Sequence, residues 1–235
     1  KDFVENFRII KNDKEIENIL KAEEISEKSF IKTLESIKEG TSEKDLSIEL
    51  EYQMKKLGGE KNGFDTIILF GERGALPHGK PGDRILKNNE AIIFDFGTIF
   101  NGYHSDCTRT VIFGNMSSDF MEAFNIVKNA QIMGIEYIKE NLKGYEVDGV
   151  SRNYIKDKGY GDYFGHGLGH GVGLEIHERP TLSPRGEEEL KENMVVTIEP
   201  GIYIPNKLGI RIEDLVVVKK NGCLNLTKLD KYIKI

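Results

Sequence analysis

The chain has 235 residues, 38% hydrophobic and 31% charged, with a formal net charge of −6, enough for one large core or two small ones. No basic stripe interleaved with aromatics is present, which argues against a nucleic-acid partner, and no apolar stretch approaches a membrane span. Cys107 and Cys223 form no disulfide framework, and the expected location is the cytoplasm.

In chain order, KEIENILKAEEISEKSFIKTLESIKE (14–39) places Ile16, Ile19, Leu20, Ile25, Phe30, Ile31, Leu34 and Ile37 on one face of a long helix. Gly40 ends it, Thr41-Ser42 offers an N-cap, and a second helix runs to Gly58-Gly59. Strand-like runs follow at 65–71 and 91–97, then helical patterns at about 118–142 and 147–158. A glycine-rich stretch, GHGLGHGVG (165–173), precedes the strand patterns MVVTIEPGIYI and GIRIEDLVVV. Five alternate glycines there disfavour a helix and suggest close backbone approach to a ligand.

A faint internal repeat runs through this order. HGKP (78–81) is followed by NNEAIIFDFG, and HERP (177–180) by ENMVVTIEPG. Superposing them sets Asp95 on Glu199, each with a second acid on a return strand, Asp106 in one half and Glu213 in the other. Two αβ halves that each deliver two acids point to a site between the halves.

The acids carry the chemistry. Asp95 and Asp106 flank an Asn101-Gly102 turn inside IIFDFGTIFNGYHSDCTRT, so a hairpin sets them on one face. An ionised carboxylate without a partner is costly in such a setting, so two of them either share a proton or bind a cation. His166, His170 and His177 fall within 12 residues, and Glu199, Arg211 and Glu213 interrupt further apolar strands. Asp95, Asp106, His170, Glu199 and Glu213 together bring four negative charges, which two divalent cations balance, ~3.5–4 Å apart in known two-metal sites. Oxygen ligands with one nitrogen favour Mn²⁺, Co²⁺, Fe²⁺ or Zn²⁺ over a structural thiolate site. GALPHGKP lacks the hydroxyl of a phosphate loop, and DFG has no matching catalytic loop.

The ordered set LPHG, DFG, SDCTRT, HGLGHGVGLEIHE, EPGIY and RIED resembles the pita-bread metallopeptidases, which include methionine aminopeptidases, Xaa-Pro aminopeptidases and Xaa-Pro dipeptidases. The resemblance covers about residues 10 to 235. It implies an α+β fold with two pseudo-symmetric αβ halves around a curved, mainly antiparallel sheet, helices on the outer face. It also implies two divalent metal ions, Mn²⁺ foremost, on Asp95, Asp106, His170, Glu199 and Glu213, with Asp106 and Glu213 bridging. His166 and LPHGKP are in the style of the Xaa-Pro branch, the prolidases. A dinuclear-metal hydrolase cutting between an N-terminal residue and proline is therefore expected, acting through a metal-bridging hydroxide on a short peptide or dipeptide.

By the same resemblance, Glu199 relays a proton, while His78 and His177 bind the substrate carbonyl, its tetrahedral intermediate or the peptide nitrogen. His166 faces the substrate pocket, and Arg211 orients Asp95 or a bridging acid. His104 is expected on the hairpin surface and Cys107 in packing. Residues 1–9 read as a linker from an N-terminal domain, with 10–235 the catalytic domain and a homodimer expected of the full-length protein. The alternatives are a methionine aminopeptidase-like enzyme, a non-catalytic peptide- or histone-binding module, and a metal-free creatinase-like site.

Overall fold

The computed structural model describes residues 3–235; Lys1 and Asp2, the start of the expected linker, lie outside the described residues. The first half contains α1 (Phe3–Arg8), α2 (Asp13–Leu34), α3 (Glu43–Lys56), β1 (Ile67–Phe70), β2 (Glu90–Phe96), β3 (Ile99–Phe100), β4 (Tyr103–His104) and β5 (Cys107–Phe113). The second half repeats the plan with α4 (Ser118–Tyr137), α5 (Gly144–Asp157), β6 (Gly169–Gly171), β7 (Glu178–Leu182), β8 (Val195–Ile198), β9 (Gly201–Ile204), β10 (Leu208–Arg211) and β11 (Asp214–Lys219). Two short strands, β12 (Gly222–Asn225) and β13 (Ile233–Lys234), complete the sheets.

Capping residues set the helix starts. Asn12 opens α2 and Ser42 opens α3, each in a reciprocal capping box with an acid three residues on. The expected helix over 14–39 stops at Leu34, and Gly40, at φ +91°, lies beyond a turn. Ile37 stays buried there, so the apolar period outlasts the helical backbone.

One large sheet is ordered β1-β2-β5-β13 and a second β12-β11-β8-β6-β7, while β3–β4 and β9–β10 form two-stranded sheets; all pairings are antiparallel except β13 on β5. Alternation along β2 explains how acids enter apolar strands. Ile92, Phe94 and Phe96 point to Phe30 of α2 and Leu46, Leu50 and Met54 of α3, whereas Asp95 faces the other side. On β5, Cys107 and Val111 join that same core, leaving Thr108 beside Asp106 on the opposite face. The second sheet packs on α4 and α5 through Val196, Ile198 and Val216. The halves join directly, because the Glu213 amide donates to the Thr108 carbonyl at 3.1 Å. The expected architecture, two similar αβ halves with helices outside mainly antiparallel strands, is the one observed.

Candidate metal centre

The strand faces turned away from the helices line a cavity of about 550 Å³ at the seam between the halves. Asp106 and Glu213 hold equivalent places, each immediately before the return strand of its half, and both are buried. Asp95 sits within β2, Glu199 just past β8, and His170 in the middle of β6. Asp95 is not opposite Asp106 in the hairpin: it pairs with Thr108, two positions on, which keeps both acids on one face.

Ligand atoms of Asp106, His170 and Glu213 lie within 4.8 Å of one another. Glu199 Oε1 is 3.4 Å and Asp106 Oδ2 3.5 Å from His170 Nε2. Asp95 lines the same cavity, its carboxylate held by the Arg211 guanidinium. His78, His166 and His177 are on the walls, with the His177 ring 4.4 Å from that of His170.

The electrostatics suit cations. His170 Nδ1 is 3.1 Å from the Gly171 carbonyl; a carbonyl only accepts, so Nδ1 carries the proton and Nε2 offers its lone pair to the cavity. Burial pushes the His170 pKa down to about 4, so the ring is neutral. Burial, and then the neighbouring carboxylates, push Asp106 and Glu213 well above the usual carboxylate range. Burial likewise raises Glu199 to about 8, against the opposing pull of Arg211. Three buried acids that so resist ionising together, beside a neutral imidazole, fit divalent cations.

A second layer of side chains fixes these donors. Thr108 Oγ1 donates to Glu213 Oε2 at 2.6 Å and accepts from Arg211 Nε at 3.1 Å. Arg211 Nη1 donates to the Tyr203 hydroxyl at 2.7 Å, and that hydroxyl is 2.9 Å from His166 Nε2. His166 Nδ1 points at the Gly167 carbonyl at 2.8 Å, so the phenol is the donor to Nε2. Burial, then Arg211, lowers the His166 pKa to about 4. Thr108 and Tyr203 received no role from the sequence, although TRT and GIY flank the acids; Thr108 was findable as the same-face position two residues after Asp106.

One expectation is corrected and one gains a second reason. A Cβ on Gly169 would meet the Thr197 carbonyl oxygen at 2.0 Å and one on Gly171 the Arg179 carbonyl oxygen at 2.2 Å, so these glycines admit neighbouring backbone, while Gly167 and Gly169 also line the cavity. His104 is buried, with its amide and Nδ1 2.9 and 3.2 Å from the Gly173 carbonyl; the β3–β4 hairpin folds inward onto the second half.

The profile of metallopeptidase family M24 matches residues 17–220. The chain belongs to metallopeptidase family M24. An Xaa-Pro dipeptidase of Pyrococcus furiosus is 46% identical to this M24 chain over 232 residues, 99% of the chain and 67% of the relative. The solved X-Pro aminopeptidase of Thermotoga maritima superposes with a TM-score of 0.98 at 44% identity, covering all of this chain and 67% of that one. An Xaa-Pro dipeptidase from Bacillus anthracis gives 0.99 at 44% identity, covering 100% and 66%. The M24 chain thus spans about two thirds of the length of the relatives it matches, and its architecture is the pita-bread fold of these enzymes. Among the described residues no helix is long and apolar enough to cross a membrane.

Proposed function

We propose that this M24 chain is a metal-dependent exopeptidase that hydrolyses the bond between an N-terminal residue and proline in dipeptides or short peptides. The observation carrying this reading is the convergence of Asp95, Asp106, His170, Glu199 and Glu213 with His78, His166 and His177 in one cavity. Its volume, about 550 Å³, suits a small ligand, and Phe64, Ile67, Pro77 and Ile176 supply apolar wall for a pyrrolidine ring.

The five donors would hold two divalent ions, Mn²⁺ foremost, with Asp106 and Glu213 central to both. When bound, the ions supply Lewis acidity and make a nucleophilic oxygen available at neutral pH. His78 and His177, both exposed to the cavity, would donate to the substrate carbonyl oxygen as charge grows on it. Glu199, whose burial favours the protonated form, would carry the proton to the leaving nitrogen. Neutral His166, fixed by Tyr203, would shape the pocket.

A cytoplasmic location belongs to the same reading, supported by free Cys107 and Cys223. The exposed Phe3 and Phe7 of α1 support two further parts of it, residues 1–9 as a linker to another domain and a homodimer of the full-length protein.

Metal analysis joined to an Xaa-Pro dipeptide assay tests the proposal. Chelation should abolish turnover and Mn²⁺ should restore it, while Asp106→Asn should lower the metal content and reduce activity by about 10³-fold or more, about 4 kcal/mol of transition-state stabilisation. Turnover that survives chelation, or faster cleavage of Met-Ala than of Xaa-Pro peptides, would overturn it.

A further inference from the structure

Residues 76–89, between the short 3-10 turn Gly71–Ala75 and β2, form no regular element, yet they include His78. Its side chain is exposed, and among the described residues none hydrogen-bonds its imidazole. The place of His78 in the cavity therefore depends on what fixes its backbone. Glu43, the first residue of α3, supplies that anchor.

The Glu43 side chain is fully buried. Its Oε1 accepts from the Phe70 amide at 2.9 Å and Arg73 Nε at 3.0 Å, and its Oε2 from the Gly82 amide at 3.0 Å. Arg73 Nη2 reaches on to the Lys80 carbonyl at 2.8 Å. One carboxylate thus ties the arm entering the loop (Phe70, Arg73) to the arm leaving it (Lys80, Gly82), with His78 between them. The N-terminus of α3 adds a second hold, since the amides of Glu43 and Lys44 donate to the carbonyls of Arg84 and Gly82, each at 3.0 Å. None of these groups belongs to the metal-donor set.

We propose that Glu43 is a positioning residue that acts through His78: by clamping both arms of the loop it holds the imidazole where the substrate carbonyl develops charge. A buried carboxylate that accepts two main-chain amides and a guanidinium is a rigid junction, and a histidine without side-chain partners inherits that rigidity. The catalytic part of this inference rests on the peptidase reading above; the structural part does not.

Glu43→Gln keeps the shape but sets an amide donor against the Phe70 or the Gly82 N–H and removes the charge facing Arg73. Hydrogen exchange read by mass spectrometry should accelerate at least ten-fold over residues 76–82 and stay unchanged over 106–113 and 195–199. With Mn²⁺ bound and metal content unaltered, kcat for an Xaa-Pro dipeptide should fall about ten-fold or more with KM within a factor of two. In a His78→Ala background the same substitution should change kcat less than two-fold. Arg73→Met, at a partly exposed position, should act in the same direction with smaller size, and it serves should Glu43→Gln fail to fold. Unchanged exchange over 76–82 would overturn the clamp; multiplicative effects of the Glu43 and His78 substitutions on kcat would overturn its action through His78. A wild-type protein that cleaves no Xaa-Pro peptide would sink the peptidase reading and with it the catalytic part, while the exchange result still decides the clamp.

Discussion

Two buried arginines brace the seam between the halves from opposite sides, and their acceptors differ in kind. Arg109 leaves β5 on the helix-packed face and donates to the Thr108, Glu213, Leu229 and Asp230 carbonyls, and to Asp214 Oδ1 at 2.7 Å. Arg211 leaves β10 on the cavity face, and its guanidinium donates to side chains, those of Asp95, Tyr203 and Thr108. Carbonyls belong to the path of the chain, so Arg109 fixes how strands and the 229–230 segment run past one another. Side-chain oxygens belong to the site, so Arg211 fixes donor atoms and the field around them. Thr108 belongs to both systems, through its carbonyl and through its hydroxyl. The guanidinium, with five donors in a fixed fork, serves architecture in one place and chemistry in the other.

The largest effect expected from breaking this division is Arg109→Met. It leaves four carbonyls short of a donor and Asp214 without its most buried partner, although Lys231 and Asn225 still reach that carboxylate. Losing one partner of a buried pair costs about 3–5 kcal/mol, which urea unfolding would read. Per folded molecule, kcat should stay within a few-fold of wild type. Arg211→Met should show the reverse, a loss of about 10–100-fold in metal affinity or turnover with a smaller loss of stability. Arg211→Lys should recover little of it, because one ammonium cannot meet three acceptors at fixed angles. Equal stability losses in the two Met variants would remove the distinction.

The same contrast explains what was legible in the sequence. Asp95, Asp106, Glu199 and Glu213 stand out because each lies in or beside an apolar run, and the repeat pairs them before any coordinates are known. His170 stands out by its spacing from His166 and His177. Arg211 stands out because it lies two residues before Glu213 in an apolar run. Arg109 interrupts an apolar strand just as plainly, yet four of its acceptors are carbonyls, one beside it at residue 108 and the rest at residues 213, 229 and 230, and carbonyls have no signature in a sequence. His104 was misplaced for a related reason. The Asn101-Gly102 turn marks a hairpin tip, which is ordinarily solvated, and only the fold shows that His104, two residues past it, meets the Gly173 carbonyl. The Gly169 and Gly171 backbones do approach something closely, but whether that is a ligand or a neighbouring strand depends on the sheet order.

Glu23 supplies the finest test of how Arg109 distributes its charge. It lies on α2, fully buried, with Oε1 accepting from Thr227 and Oε2 without a partner among the described residues. Arg109 donates to Asp214, not to Glu23, so the acid has no cation in contact among the described residues. Burial, with Glu27 adding to it, pushes the Glu23 pKa up to about 8, against smaller opposing pulls from Thr227 and Arg109. An acid whose folded pKa is raised binds its proton more tightly in the native state than in the unfolded chain. Its contribution is therefore complete below the ordinary value of 4.5 and is lost as pH rises from there through about 8, at a slope of no more than ~1.4 kcal/mol per pH unit. Glu23→Gln should remove that part of the slope and leave stability below pH 4.5 close to wild type. Because the metal donors also titrate, the quantity to measure is the difference between wild type and variant, by urea unfolding across pH 4.5 to 8, with and without chelator. A difference that stays constant across that range would mean Glu23 is ionised in the fold and that Arg109 neutralises two carboxylates at once, which would make it an electrostatic centre as well as a tie for the main chain.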